Sequence, residues 1–114
     1  GLGLPNAKEA ILPDEKFTKY LFDGSNPKGL AKGRAITSRL GYDKSNWREF
    51  QKEIQKRAAD YPATPREKDQ YGQRFEQKMV IYGKRGTPAN VVVGWNQRPD
   101  GCVFLSSAYI KEVK

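Results

Sequence analysis

The sequence of 114 residues contains no histidine and a single cysteine, Cys102. Without an imidazole, the chain cannot form a Ser-His-Asp triad, a Cys-His pair, the usual catalytic zinc site or a histidine-pair nuclease. One cysteine also excludes an internal disulfide and a cysteine-rich metal site. Because Cys102 alternates with Phe104 along an expected strand, we interpret it as a small buried hydrophobe rather than a nucleophile. We expect neither a metal nor a cofactor.

Long apolar runs, internal repeats and low-complexity tracts are missing as well. No stretch approaches the length of a membrane span, and no charged segment followed by an apolar one forms a leader. We therefore expect no stable membrane association of this domain, although a longer precursor could deliver it. The length suits one hydrophobic core and is too short for a second. A single domain over 1–114 is predicted, with a helical half at about 7–60 and a sheet half at about 71–112.

Positive charge is what the sequence has in excess. Lysine and arginine number 21 against 13 acidic residues, which gives a net charge of +8. Such a balance favours a nucleic acid or another polyanion as partner, although lysines on solvated helix faces account for part of it. The excess is concentrated between Gly24 and Lys44, where one acid, Asp43, stands among five cations: Lys28, Lys32, Arg34, Arg39 and Lys44.

The first half of the chain has helical spacing. Pro13 is positioned to open a helix, in which Phe17, Tyr20 and Leu21 should pack inward. A second helix is predicted from about Gly29 to Leu40, ended by Gly41, with Lys28, Lys32 and Arg39 on one side. A third should be capped by Ser45 or Asn46 and run to about Asp60. Residues 63–70 read as a polar loop.

The second half has the period of two that is typical of strands. One strand is expected from Gln73 to Gly83. A hairpin follows, in which Val91 to Trp95 and Cys102 to Ile110 flank a tight turn at 98–101. Strict alternation would place Ser107 and Tyr109 on the face of Val103 and Leu105, and Ser106 on the face of Phe104. Trp95 is interpreted as core. The fold class is α+β, with N-terminal helices packed on a C-terminal antiparallel β-sheet.

No self-sufficient catalytic motif is present, since phosphate-binding glycine loops, zinc spacings and nucleophile elbows are all missing. RNA, however, carries its own nucleophile in the 2′-OH. A protein can cleave it by orienting the backbone, stabilising the charge on the phosphorane and moving two protons. Lysine and arginine can supply the charge, and tyrosine, lysine or serine can supply the protons and the orientation. The lack of histidine is therefore compatible with a slower ribonuclease.

Several short motifs, in their order along the chain, resemble a toxin family. They are Leu4-Pro5-Asn6-Ala7, Asn26-Pro27-Lys28-Gly29 with Lys32, Leu40-Gly41-Tyr42 with Trp47, Tyr71-Gly72, Trp95 and Leu105-Ser106-Ser107-Ala108-Tyr109. They look like the C-terminal toxin domains of CdiA effectors in contact-dependent growth inhibition, in the barnase/EndoU/colicin/RelE group. The family pattern often has histidine where Asn26 stands and threonine where Ser107 stands.

That resemblance implies a tRNA-cleaving ribonuclease of the same fold group. It would be secreted as the C-terminal part of a cell-surface effector and would act in the cytoplasm of a target bacterium. A cognate immunity protein, expected to be acidic, would neutralise it. The product would be a 2′,3′-cyclic phosphate formed by attack of the 2′-OH, with no metal required.

The resemblance also suggests roles for individual residues. Lys32 would stabilise transition-state charge or donate a proton, Tyr109 would act as acid, base or stacking platform, and Ser107 would orient the scissile phosphate. The expected RNA-binding residues are Lys28, Arg34, Arg39, Tyr71 and Arg74. Two alternatives stay open: a noncatalytic RNA-binding module, and a protein-interaction domain whose basic surface meets an acidic partner.

Overall fold

The computed structural model describes residues 3–84 and 86–111. A 3-10 turn at Ala7–Glu9 and a π-helical turn at Phe17–Leu21 precede the helices α1, Pro27–Leu40, and α2, Trp47–Arg57. Four strands follow: β1 Ala63–Asp69, β2 Gly72–Ile81, β3 Ala89–Gln97 and β4 Val103–Ile110. The strands form one antiparallel sheet in the order β1-β2-β3-β4. This confirms the α+β class with helices packed against an antiparallel sheet. No helix in the described ranges is long and apolar enough to cross a bilayer.

Helix α1 has well-defined ends. The side chain of Asn26 accepts hydrogen bonds from the backbone N–H groups of Lys28 (2.9 Å) and Gly29 (3.4 Å), which have no partner within the helix. Pro27 occupies the first turn, so α1 begins there and not at Gly29 as predicted. The predicted end at Leu40 is confirmed, because Gly41 adopts the left-handed conformation with φ 81°.

The first helix predicted from the sequence is a short helical segment at residues 15–21, whose last five residues form the π-helical turn. The N–H of Phe22 donates to the carbonyl of Phe17 at 3.0 Å, a spacing of five residues, and a bend follows. Phe17 and Leu21 are buried as the pattern predicts, and Tyr20 is half-buried against the core. The third predicted helix is α2, which ends at Arg57, short of Asp60.

The predicted polar loop at 63–70 is wrong, because this segment is strand β1. Its side chains are exposed after Ala63, so the alternating apolar pattern that identifies a half-buried strand is missing. Backbone pairing with β2 holds it in place, with a register irregularity between Pro65 and Lys68, where proline lacks an N–H. The sheet therefore begins at Ala63, ahead of the boundary expected near residue 71.

A β-bulge in β4 changes which residues share a face. Gly94 pairs with Ser107 but the next residue of β3, Trp95, pairs with Leu105, so Ser106 is the extra residue. Val103, Leu105 and Ala108 consequently all face the core. The expected alternation is therefore wrong for Ser107 and Tyr109, which lie on the face opposite Val103 and Leu105.

Cys102 is exposed, which corrects its interpretation as a buried hydrophobe. It precedes β4 and belongs to the turn, where its N–H donates to the Asp100 carboxylate at 2.9 Å. The turn itself is as predicted, since the N–H of Gly101 donates to the carbonyl of Arg98 at 2.9 Å. Trp95 is confirmed as core, with 1% of its surface exposed.

Close contact between α1 and the π-helical turn requires glycine at position 33. A Cβ atom at Gly33 would lie 1.7 Å from the carbonyl oxygen of Leu21. We expect Gly33→Ala to lower the free energy of unfolding by about 2–3 kcal/mol in urea denaturation, because α1 must shift away from the turn. Gly86→Ala, where a methyl group would meet nothing within 4 Å, is the comparison and should cost about 1 kcal/mol for its left-handed backbone. Equal losses for the two variants would contradict this packing.

Candidate nucleic-acid interface on the open sheet face

The side of the sheet that faces away from the shared core carries mostly polar side chains. We call this side the open face; it consists of the residues that alternate with the core positions along each strand. Val92 is a buried residue of this face. It does not belong to the hydrophobic core cluster, which lies between the helices and the other side of the sheet. Strand pairing arranges the open face in three rows: Lys78-Val92-Tyr109, Glu76-Gly94-Ser107 and Arg74-Asn96-Phe104.

Lys32 and Tyr109 meet where α1 packs along β4. The Lys32 ammonium nitrogen lies 5.7 Å from the centre of the Tyr109 ring and 5.5 Å from the centre of the Tyr20 ring. It donates a hydrogen bond to the Tyr20 hydroxyl at 3.3 Å. Two aromatic faces therefore hold the cation at the rim of the open face. Together with Ala31, Ala35 and Ile110, Lys32 and Tyr109 line a depression of about 320 Å³.

A second depression of about 220 Å³ lies at the centre of the open face, and Tyr109 borders both depressions. Its polar lining comes from three strands. The side chains concerned are Arg66, Glu67, Arg74, Glu76, Ser106, Ser107 and Tyr109. Two of the three residues predicted to be catalytic, Ser107 and Tyr109, thus share one cavity with the predicted RNA-binding residue Arg74, and the third, Lys32, adjoins Tyr109.

Two arginines and two glutamates line the central depression. Arg66 forms an ion pair with Glu76 at 3.0 Å. Arg74 is exposed and has no ion pair with any residue in the ranges 3–84 and 86–111. At the other end of the open face, the neighbouring Lys111 ammonium group lowers the pKa of Lys78 below its usual value, through direct contact and charge repulsion. Two close ammonium groups favour the approach of an anion.

The other predicted RNA-binding residues are dispersed. Lys28 is exposed in the first turn of α1, on the same helix face as Lys32, and Arg39 lies further along that face beside Tyr82 and Lys111. Arg34 instead lines a groove on another side of α1, with Leu21, Phe22 and Lys44, so the structure does not bring it to the Lys32 cluster.

Tyr71 lies in the turn between β1 and β2, with 70% of its surface exposed. Its carbonyl accepts a hydrogen bond from the Asn96 side chain at 3.4 Å. This places it at the end of the sheet where the Arg74 row lies. At the same end the Arg98 guanidinium stacks on Phe104, 3.9 Å from the ring centre.

Sequence reasoning missed Arg66, Glu76 and Ser106. Arg66 was hidden by the assignment of 63–70 to a loop, and Ser106 by the assumption of an unbroken alternation in β4. Glu76 fell within the strand expected from Gln73 to Gly83 but was given no role. The sequence offered no local signal for Ser106, because the bulge is defined by the register of β4 against β3.

Fold and site together define an α+β domain whose sheet presents one open polar face with a cationic rim. The chain belongs to the family described as a domain of unknown function, DUF6883, whose model matches residues 3–112. No curated protein and no solved structure matches the chain.

Proposed function

We propose that this domain is a ribonuclease that cleaves tRNA by attack of the 2′-OH on the adjacent phosphate, without a metal. The observation that carries the proposal is the contact between Lys32 and Tyr109 at the rim of a face that also bears Ser107. The Lys32 ammonium nitrogen lies 5.7 Å from the centre of the Tyr109 ring. Residues from α1 and β4, far apart in sequence, supply the cation and the phenol, and the phenol also borders the depression that the Ser107 hydroxyl lines. These are the groups that such a cleavage needs in the absence of histidine.

The net charge of +8 supports a polyanionic substrate. Arg74, Lys78 and Lys111 add cations along the open face, and Lys28 extends the cationic side of α1 beyond Lys32. A strand of RNA crossing the face would meet positive charge at both ends and hydroxyls at the centre. Contacts to phosphates would position it, and exposed Tyr71 offers a surface on which a base can stack.

In the proposed reaction the 2′-oxygen bonds to phosphorus as the bond to the 5′-oxygen breaks. Glu76 accepts the proton of the 2′-OH, and its ion pair with Arg66 orients the carboxylate. Lys32 stabilises the additional negative charge on the phosphorane, Tyr109 supplies a proton to the departing 5′-oxygen, and Ser107 orients the phosphate.

A Glu76→Gln variant that cleaves tRNA at the full rate would contradict the role of Glu76 as proton acceptor.

The direct test is the chemistry of the cut ends. The purified domain is incubated with total bacterial tRNA in the presence of EDTA, and the products are sequenced after end-specific treatment. We expect one fragment with a 2′,3′-cyclic phosphate and one with a 5′-OH, because the 2′-oxygen is the nucleophile. Salt-dependent binding of intact tRNA with no cleavage would contradict the proposal and would favour a noncatalytic RNA-binding module.

The same proposal places the domain among secreted toxins that act in the cytoplasm of a neighbouring bacterium and are blocked by an acidic immunity protein. Its support is the basic charge together with the motif resemblance at Asn26-Pro27-Lys28-Gly29 and Ser106–Tyr109. Expression of the domain inside a bacterium should stop growth and leave cleaved tRNA. If growth stops while the tRNA stays intact, the toxicity does not come from tRNA cleavage and the proposed reaction is contradicted.

A further inference from the structure

The β-bulge brings two consecutive serines to one point of the open face. Strict alternation would send the side chains of Ser106 and Ser107 to opposite sides of the sheet, but the extra residue in β4 changes this. A Cβ atom placed on Gly94 would lie 3.0 Å from the Ser106 hydroxyl oxygen and 3.2 Å from the Ser107 hydroxyl oxygen. Both hydroxyls therefore lie beside the same gap above Gly94, and the gap exists because this residue has no side chain.

Among the described residues, neither hydroxyl has a protein partner. In the parts of the chain that the structure describes, the Ser106 and Ser107 side chains form no hydrogen bond, and both residues are half-buried at the edge of the central depression. A hydroxyl rotates freely about its C–O bond, so both can donate toward one acceptor above the gap. Arg74 lines the same depression.

We infer that Gly94, Ser106 and Ser107 form a cradle for the non-bridging oxygens of a phosphodiester. The proposed function assigns phosphate orientation to Ser107 alone; the cradle adds Ser106 as a second donor and Gly94 as the residue that leaves the space. That the bound phosphate is the scissile one rests on the proposed function. Two arginines and two glutamates also line the depression, so the serine hydroxyls add hydrogen-bond donors without changing its formal charge.

Binding of a small probe tests the cradle without requiring cleavage. Cytidine 3′-monophosphate and cytidine are titrated into the isotope-labelled domain at low salt and followed by NMR. We expect the phosphate-bearing nucleotide to shift the amide signals of Gly94, Ser106 and Ser107, and cytidine to leave them in place. Equal shifts with cytidine would overturn the assignment to phosphate oxygens.

Two variants and a matched control complete the test. The double variant Ser106→Ala/Ser107→Ala removes both donors, and Gly94→Ala fills the gap so that the hydroxyls must move by a few tenths of an ångström. Each should weaken binding of the nucleotide by about tenfold or more, since hydrogen bonds to a charged acceptor are lost. Ser38→Ala, at an exposed serine on another side of α1, should bind like the parent.

The outcomes separate the cradle from the nuclease. Serine-dependent binding of the nucleotide together with uncut tRNA would support the cradle and refute the nuclease. Cleavage of tRNA with unchanged binding and rate in the double serine variant would overturn the cradle and leave the nuclease standing. Amide spectra of each variant verify that the fold is retained, and Gly94→Ala gives a second reading if the double variant unfolds.

Discussion

Replacement of Lys32 by alanine is expected to reduce the rate of tRNA cleavage by about 100- to 1000-fold, the usual effect of removing one donor that stabilises transition-state charge. Lys32 is the cation that the two tyrosine rings hold at the rim of the open face, and its ammonium nitrogen lies 5.7 Å from the Tyr109 ring centre. Among the described residues, no other lysine or arginine of α1 lies over that ring. The rate is measured on a single tRNA under single-turnover conditions.

Two further variants distinguish loss of charge from loss of structure. Lys32→Arg keeps the positive charge and should retain part of the rate, although its planar head group cannot reproduce the contact with the Tyr20 hydroxyl in the same way. Lys52→Ala removes an exposed lysine from α2 and should cleave normally. A Lys32→Ala protein that is folded and fully active would refute the assignment of this residue.

Replacement of Gln77 by leucine is expected to lower the free energy of unfolding by about 3–5 kcal/mol, because two buried polar groups and one partly buried carbonyl lose their partner at once. Gln77 is fully buried in β2. Its side-chain nitrogen donates to the carbonyl oxygens of Ala58 and Tyr61, at 2.8 Å each, and its oxygen accepts from the Trp95 indole at 3.0 Å. One side chain thus joins the end of α2 to the centre of the sheet.

The measurement is urea denaturation followed by tryptophan fluorescence and circular dichroism. Gln55→Leu makes the same chemical change at an exposed position of α2 and should alter stability by less than about 0.5 kcal/mol. If Gln77→Leu has the same free energy of unfolding as the parent protein, these hydrogen bonds do not stabilise the fold and the expectation for buried polar groups is contradicted.

The sequence predicted the elements whose local signals agree with their final packing. Helix α1 has a glycine at its end, and the turn at 98–101 has proline and glycine at the favoured positions. In each case the information lies within a few residues. The class α+β followed from these elements, and the structure confirms it.

Errors arose where pairing with a distant strand decides the outcome. Strand β1 has no apolar alternation of its own and exists because β2 offers a hydrogen-bonding edge. The bulge at Ser106 depends on the register between β3 and β4, and Cys102 is exposed because the strand starts one residue later than expected. Register is a property of two segments together, so one segment read alone does not reveal it.

The site was predictable in part for the same reason. Lys32 and Tyr109 were named from their motifs, and the structure brings them together, although their chemical roles stay predictions. Arg34 was grouped with Lys32 because both lie in one basic stretch, yet they point to different sides of α1. Glu76 and Ser106 gain their relevance from neighbours on other strands, which the linear sequence does not show.

The central claim is that RNA lies across the open face between α1 and β1, and one NMR measurement tests it most directly. The isotope-labelled domain is titrated with an RNA hairpin whose riboses carry 2′-O-methyl groups, so that it cannot be cut. The largest shifts are expected at Lys32, Gly94, Ser107 and Tyr109. If the largest shifts instead fall in the groove lined by Arg34 and Lys44, on another side of α1, the proposed site is contradicted.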